Sequence, residues 1–121
     1  KFGKESLSVI KDVCRIQGRA LGLKIIKKLP NYRLTTVGEA FSKSLDPKFV
    51  KIIFLSDEKF QIQGTKCPFC LENTSRELCE ATMTIDHEYF RTAVNEKIKL
   101  KILKTVAAGD PYCDTIYELK R

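Results

Sequence analysis

Cysteine placement is the feature that most constrains how this chain can fold. Four of its five cysteines fall within the last 55 residues, and the first two, Cys67 and Cys70, form a tight Cys-x-x-Cys hook. Cys79 and Cys113 complete the group. Four thiolates are enough to close a tetrahedral zinc site, and a closed four-thiolate site is usually structural. The sequence therefore predicts a zinc ion held by these four cysteines.

The same thiols have other interpretations. The hook could be a redox dithiol, or the cysteines could be unrelated buried thiols. The single histidine, His87, could replace one cysteine as a zinc ligand. Cys14 lies on the apolar side of a predicted helix and is interpreted as a core residue. An odd number of cysteines with a Cys-x-x-Cys hook fits a metal site in a reducing compartment, so we expect a cytoplasmic protein.

Length and composition predict one globular domain over residues 1–121. Hydrophobic residues make up 43% of the chain, with only 6 Gly and 4 Pro, which is not typical of a disordered segment. No apolar run approaches the ~18 residues that a membrane span needs, so we expect no membrane partner. Because the first residue is Lys1 and not Met, we expect a chain that is trimmed at its N-terminus.

The net charge of +7 is concentrated at the start of the chain. Residues 1–33 carry nine basic and two acidic side chains, and the remaining 88 residues are neutral overall. This basic segment could bind nucleic acid weakly, or nucleic-acid binding could belong to a missing domain. No recognition motif accompanies the basic residues, so a solvated helix face is the preferred interpretation.

The spacing of apolar residues predicts one long helix over residues 5–29. Its apolar residues form two adjacent stripes that together cover about half of the circumference or more, which is wider than one core contact needs. We therefore expect burial on two sides, one of them against a second subunit in a homodimer. The spacing Gly18-x-x-x-Gly22 would let another element approach this helix closely. The first stripe comprises Leu7, Ile10, Cys14, Leu21 and Ile25, and the second comprises Val9, Val13, Ile16, Ala20 and Leu23.

The remaining pattern predicts an α+β fold, an antiparallel sheet packed with helices. Thr74 is expected to cap a short helix, with Glu77 reaching back in a capping box. Helices come first and strands fall in adjacent pairs, which favours an antiparallel sheet. Further helices are predicted at 36–45 and 86–96, and strands at 49–55, 60–63, 97–106 and 112–119.

The segment from Gly109 to Asp114, between two predicted strands, resembles the C-terminal signature of the 4-vinyl reductase domain family. The long helix with Gly-x-x-x-Gly and the pair Cys79-Glu80 are also similar to that family, most closely to its archaeal stand-alone or regulatory members. The resemblance implies a small α+β sandwich that binds small molecules in an apolar pocket. Certain subunits of a vesicle-tethering complex share this fold.

In the phenol-sensing relatives, cysteines of this segment hold zinc beside the ligand pocket. The resemblance places Cys79 and Cys113 at two of these positions. The third thiol position corresponds to Thr105 in this sequence, which is a departure from the pattern. Cys67 and Cys70 could supply the missing ligands or could form a different site.

The resulting expectation is a zinc-containing domain that binds a small apolar or aromatic ligand, such as a hydrocarbon, in a sensory or regulatory role. Two alternatives stay open: an enzyme (a vinyl-group reductase, or a hydrolase using Cys113 beside Asp114) and an interaction scaffold with a filled core. No carboxylate and base stand at catalytic spacing, so no catalytic residue is predicted. Candidate pocket residues are Phe41, Phe54, Tyr89, Phe90 and Tyr112.

Overall fold

Two helices pack on one face of a four-stranded antiparallel sheet, and a long N-terminal helix packs on one of them and on a short third helix. The structure is a computed structural model that describes residues 4–65 and 75–119. The elements in chain order are α1 (Lys4–Ile26), α2 (Leu34–Lys43), β1 (Val50–Leu55), β2 (Lys59–Gly64), α3 (Arg76–Thr82), α4 (Thr84–Ala93), β3 (Ile98–Lys104), a 3-10 turn (Val106–Ala108) and β4 (Cys113–Leu119).

The sheet is antiparallel throughout, with the strand order β1-β2-β4-β3. Tyr117 of β4 lies opposite Phe60 of β2 on one side and Leu100 of β3 on the other. These apolar side chains alternate with polar ones, so the sheet has one apolar face and one polar face. The predicted α+β class with an antiparallel sheet and a long N-terminal helix is confirmed at this level.

An aromatic cluster joins the helices to the sheet. The rings of Phe90 on α4 and Tyr117 on β4 are 4.3 Å apart between centroids, and Phe41 on α2 lies 5.1 Å from Phe90. Phe60, Phe90 and Tyr117 are almost completely buried. Large buried rings in offset and edge-on contact contribute strongly to core stability. This cluster therefore packs α2 and α4 against the centre of the sheet.

Helices α1 and α4 touch through their backbones. A Cβ atom added at Gly18 would lie 2.2 Å from the carbonyl oxygen of Ile85, and one added at Gly22 would lie 2.7 Å from Cβ of Thr92. Any side chain at these two positions would push the helices apart. The close approach that the Gly-x-x-x-Gly spacing predicts is confirmed, and its partner is α4.

The second apolar stripe of α1 is exposed in the single chain. Ile16 is 71% exposed and Val9 is 61% exposed. Cys14, on the other side of the helix, is buried as predicted for a core residue. The described residues therefore bury one side of α1 and leave the second stripe exposed, and the burial of that stripe against a second subunit stays a prediction.

Two local predictions are wrong. The N-cap of α3 is Ser75 and not Thr74, because the Ser75 hydroxyl accepts the hydrogen bond from the Leu78 N–H at 3.0 Å. The strand predicted at 97–106 ends at Lys104, because the Thr105 side chain caps the 3-10 turn that follows. Among the helices in the described part of the chain, none has the length and apolar character needed to cross a membrane.

Candidate ligand cavity and thiol cluster

A cavity of about 710 Å³ lies between the helices and the apolar face of the sheet. This volume falls within the range of roughly 300–1,000 Å³ that is usual for small-molecule sites. All four helices or their junctions contribute to the wall, and the strands form its floor. Much of the lining is aliphatic or aromatic, including Leu21, Ile25, Phe41, Ile62, Met83 and Tyr89.

The structure brings two of the five candidate pocket residues to this cavity. Phe41 and Tyr89 line it. Phe90 is completely buried in the aromatic cluster, and Phe54 on the outer strand β1 is 50% exposed. Tyr112 faces Lys104, whose Nζ lies 3.1 Å from the tyrosine hydroxyl. The described cavity wall therefore includes neither Phe54, Phe90 nor Tyr112.

Cys79 and Cys113 also line the cavity, on either side of a buried hydroxyl group. Thr105 Oγ1 donates a hydrogen bond to Cys79 Sγ at 3.2 Å, and Cys113 Sγ lies 4.0 Å from the same oxygen. Thr105 Oγ1 in turn accepts a hydrogen bond from the Ala107 N–H. The final strand, the short helix α3 and the 3-10 turn therefore meet at one point in the cavity wall.

Cys79 and Cys113 are the two predicted zinc ligands that lie among the described residues. The Val106 N–H donates to Cys113 Sγ at 3.5 Å, and such outer hydrogen bonds to sulfur favour the thiolate form that zinc binds. Cys67 and Cys70 lie outside the described residues. Within residues 4–65 and 75–119, no group of three or more Cys, His, Asp or Glu side chains is arranged to hold a metal ion.

His87 has a different partner. Its Nε2 lies 2.9 Å from the carbonyl oxygen of Ile98, so this nitrogen must donate a hydrogen bond to that acceptor. His87 is not among the described residues that line the cavity. The imidazole therefore helps to join α4 to β3 and does not face the thiol cluster.

Asp86, in the first turn of α4, is the charged residue of the wall that is not exposed; Asp46 and Lys104 also line the cavity and are exposed. Asp86 is half-buried. Of the residues that the structure describes, none donates a hydrogen bond to its carboxylate and none forms an ion pair with it. Burial raises the pKa of Asp86 from 3.8 to about 7. Loss of hydration in an apolar site disfavours the charged form of a carboxyl group.

Asp86 also affects the titratable side chains around it. Burial, followed by the negative charge of Asp86, raises the pKa of the Cys14 thiol on α1 and of the Tyr89 phenol on α4. Burial, Asp86 and Cys79 together hold the pKa of Tyr117 on β4 well above its ordinary value. These thiol and phenol groups are neutral near pH 7, so they do not supply a positive charge to the carboxylate.

Sequence reasoning missed Asp86 and the α1 residues in the wall. Leu21 and Ile25 belong to the first apolar stripe of α1, which indicated burial but not a cavity. An aspartate in the first turn of a helix is common, because it interacts well with the N-terminal N–H groups. The sequence holds no further signal that this carboxyl group lies beneath α1.

No protein-family model, curated protein or solved structure matches this chain.

Proposed function

We propose that this protein is a domain that binds a small apolar or aromatic molecule in the cavity between its helices and sheet, in a sensory or regulatory role. The observation that carries the proposal is the volume of about 710 Å³ within an otherwise well-packed α+β fold. Concave sites of this volume with a mainly apolar lining are typical of small-molecule binding sites. An apolar wall of this size favours an apolar occupant.

The cavity also bears on the alternative of an interaction scaffold. A scaffold with the same fold is expected to have a filled core, because empty space forfeits dispersion contacts. The side chains of Phe41 and Tyr89 extend the aromatic cluster to the cavity wall but leave the space between α2 and α4 open. We therefore favour a binding domain of the 4-vinyl reductase type over a scaffold.

We further propose that zinc is bound by Cys67, Cys70, Cys79 and Cys113. Support comes from the two thiols that meet beside Thr105, each with a hydrogen-bond donor directed at its sulfur. Bound zinc would link α3 and the start of β4 to the segment of the hook. The ion would be structural, because four thiolates leave no open position for a substrate.

Metal analysis tests this assignment. Protein purified without added zinc is expected to contain about one zinc ion per chain by mass spectrometry. Cys79→Ser and Cys113→Ser are each expected to reduce the zinc content sharply, whereas Cys14→Ser, at the buried thiol of α1, is the matched control and is expected to retain it. Equal zinc content in all three variants, or no zinc in the parent protein, would refute the site. A metal-free protein with reactive thiols would favour redox or cysteine-nucleophile chemistry.

We also propose a homodimer formed through α1, in the cytoplasm where free thiols persist. The exposed apolar stripe of α1 is the supporting feature, since exposed apolar surface of this extent favours association. Ile16→Glu is expected to give a monomer in light scattering coupled to size-exclusion chromatography. Gln17→Glu, one residue away and outside the stripe, is the matched control. A monomeric parent protein, or a dimer in both variants, would contradict the proposal.

Ligand binding is tested by filling the cavity. Ala40 lines the cavity on α2, and its neighbour Glu39 is exposed on the same helix. Naphthylmethanol, a neutral aromatic probe, is expected to bind the parent protein and the Glu39→Trp variant, as followed by its fluorescence. Ala40→Trp is expected to lose most of this binding while retaining its circular dichroism spectrum. Equal binding in both variants would show that the probe lies elsewhere.

A further inference from the structure

An ionisable group inside the apolar cavity narrows the class of ligand. Asp86 belongs to the cavity wall, where its neighbours Ile85 and Tyr89 on α4 and Leu21 on α1 contribute mainly apolar surface. A carboxylate in such surroundings loses hydration, and it is stabilised only by a partner that supplies positive charge or hydrogen-bond donors. The described part of the protein supplies no such partner to Asp86.

The nearby positive charge in the wall is already engaged. Lys104 is the basic residue among the described residues that line the cavity. Lys104 is exposed, and its ammonium group donates a hydrogen bond to the Tyr112 hydroxyl and lies 4.8 Å from the centre of that ring. Lys104 forms no ion pair with Asp86.

The titratable groups that surround Asp86 do not provide a counter-ion either. Cys14 from α1, Tyr89 from α4 and Tyr117 from β4 are the groups whose pKa the carboxylate raises, and each is neutral when protonated. Asp46, at the C-terminal side of α2, is a second acidic residue of the lining and is exposed. The buried charge of the lining is therefore the Asp86 carboxylate, and an exposed carboxylate such as Asp46 is screened by solvent.

We infer that the cavity binds an apolar, preferably aromatic, molecule that carries one basic nitrogen, and that the Asp86 carboxylate is its counter-ion. This inference rests on the proposed binding function and specifies its ligand class. A protonated amine would donate a charge-assisted hydrogen bond to Asp86, and the apolar part of the molecule would fill the space against Phe41, Ile62 and Tyr89. A ligand with a carboxylate would be repelled by the same group.

Three naphthalene probes of nearly equal size test this inference on the full chain as purified. Naphthylmethylamine is cationic near pH 7, naphthylmethanol is neutral and naphthoate is anionic. We expect the amine to bind roughly 10- to 100-fold more tightly than the alcohol at pH 8, because hydrogen bonds to charged groups contribute about that factor. Naphthoate is expected to bind more weakly than the alcohol.

Variants assign the preference to one carboxyl group. Asp86→Asn is expected to remove most of the 10- to 100-fold advantage of the amine while leaving the affinity for the alcohol nearly unchanged. Asp12→Asn makes the same chemical change at an exposed position of α1, where the side chain is 63% exposed, and it is expected to keep the advantage. Fluorescence titration measures all affinities.

A second measurement needs no variant. Since the pKa of Asp86 is about 7, about half of the molecules carry a proton there at pH 7, and an amine binds to the ionised half. Binding of naphthylmethylamine is therefore expected to release about half a proton at pH 7 and almost none at pH 8.5. Calorimetry in buffers of different ionisation enthalpy gives this number.

The outcomes separate the two proposals. If the amine and the alcohol bind with equal affinity, or if Asp86→Asn leaves the preference intact, the inference fails and the proposed binding function stands. If no proton is released at pH 7 on binding of the amine, the inference also fails. If none of the three probes binds, the proposed function and the inference fail together.

Discussion

Removal of the Asp86 charge is expected to stabilise the folded protein, and only above mildly acidic pH. In the unfolded chain this carboxyl group has its ordinary pKa of 3.8, whereas in the fold its pKa is about 7. Between these two values the folded protein binds more protons than the unfolded chain. The free energy of unfolding therefore falls as the pH rises from about 4 to about 7, and this contribution is constant above that range.

The magnitude follows from the same two values. Each unit of pKa corresponds to about 1.4 kcal/mol, so a rise of about three units gives an upper limit of roughly 4 kcal/mol. Asp86 retains some exposure within the cavity, and water there lowers the cost of its charge. We therefore expect Asp86→Asn to raise the free energy of unfolding by about 2–3 kcal/mol more at pH 8 than at pH 4.

Urea denaturation followed by circular dichroism, repeated from pH 4 to pH 9, measures this difference. Asp12→Asn, at the exposed position on α1, is the control and is expected to track the parent protein within about 0.5 kcal/mol at every pH. A constant difference between Asp86→Asn and the parent across this range would refute the reasoning, because it would mean that the carboxyl group keeps its ordinary pKa in the fold.

Four further substitutions test the packing and hydrogen bonds of the fold. Gly18→Ala is expected to lower the free energy of unfolding by about 1–3 kcal/mol in urea, because its Cβ meets a backbone carbonyl at 2.2 Å. Gly38→Ala, where the nearest atom is the end of a leucine side chain at 2.9 Å, is expected to cost less; an equal cost would contradict the backbone contact. Thr105→Val is expected to lower the melting temperature by an amount that corresponds to about 1–2 kcal/mol, because the buried Ala107 N–H loses its acceptor. An unchanged melting temperature would show that the Thr105 hydroxyl does not stabilise the turn. Asp114→Ala is expected to cost about 2 kcal/mol in urea, because the buried carboxylate accepts hydrogen bonds from two glutamine side chains of β2; a cost below about 0.5 kcal/mol would show that water replaces them.

Much of the fold could be predicted from periodicity. The 3.6-residue period of α1 and the alternation of Ile98, Leu100 and Ile102 in β3 each identify an element, because burial of one face imposes that spacing. The boundaries were less accurate. Thr105 is β-branched and therefore continues the strand pattern in the sequence. In the structure its hydroxyl group accepts a hydrogen bond from the Ala107 N–H of the turn that follows, and the spacing of apolar residues does not reveal this contact.

The site was only partly predictable for a related reason. An apolar side chain can fill a core or line a cavity, and its residue type is the same in both cases. Phe90 and Phe41 illustrate this, because both are aromatic residues on amphipathic helices, yet only Phe41 reaches the cavity. The burial of the Asp86 carboxyl group depends on which helix packs over it. Helix packing is a property of the tertiary structure, so the local sequence does not show it. The positions of Cys79 and Cys113 beside one hydroxyl likewise depend on the path of the chain between α3 and β4.

The glycine contact between α1 and α4 has a consequence for the range of ligand shapes. Two helices in backbone contact cannot slide or separate by a change of side-chain rotamer, so the wall they form is rigid. Helix α2 rests on the sheet through side chains, with Gly38 above Leu55 and Phe60, and such contacts allow small shifts. We therefore expect α2, and not α1 or α4, to shift when the cavity binds ligands of different width. In a series of related proteins, ligand selectivity would then change mainly with the residues of this one helix.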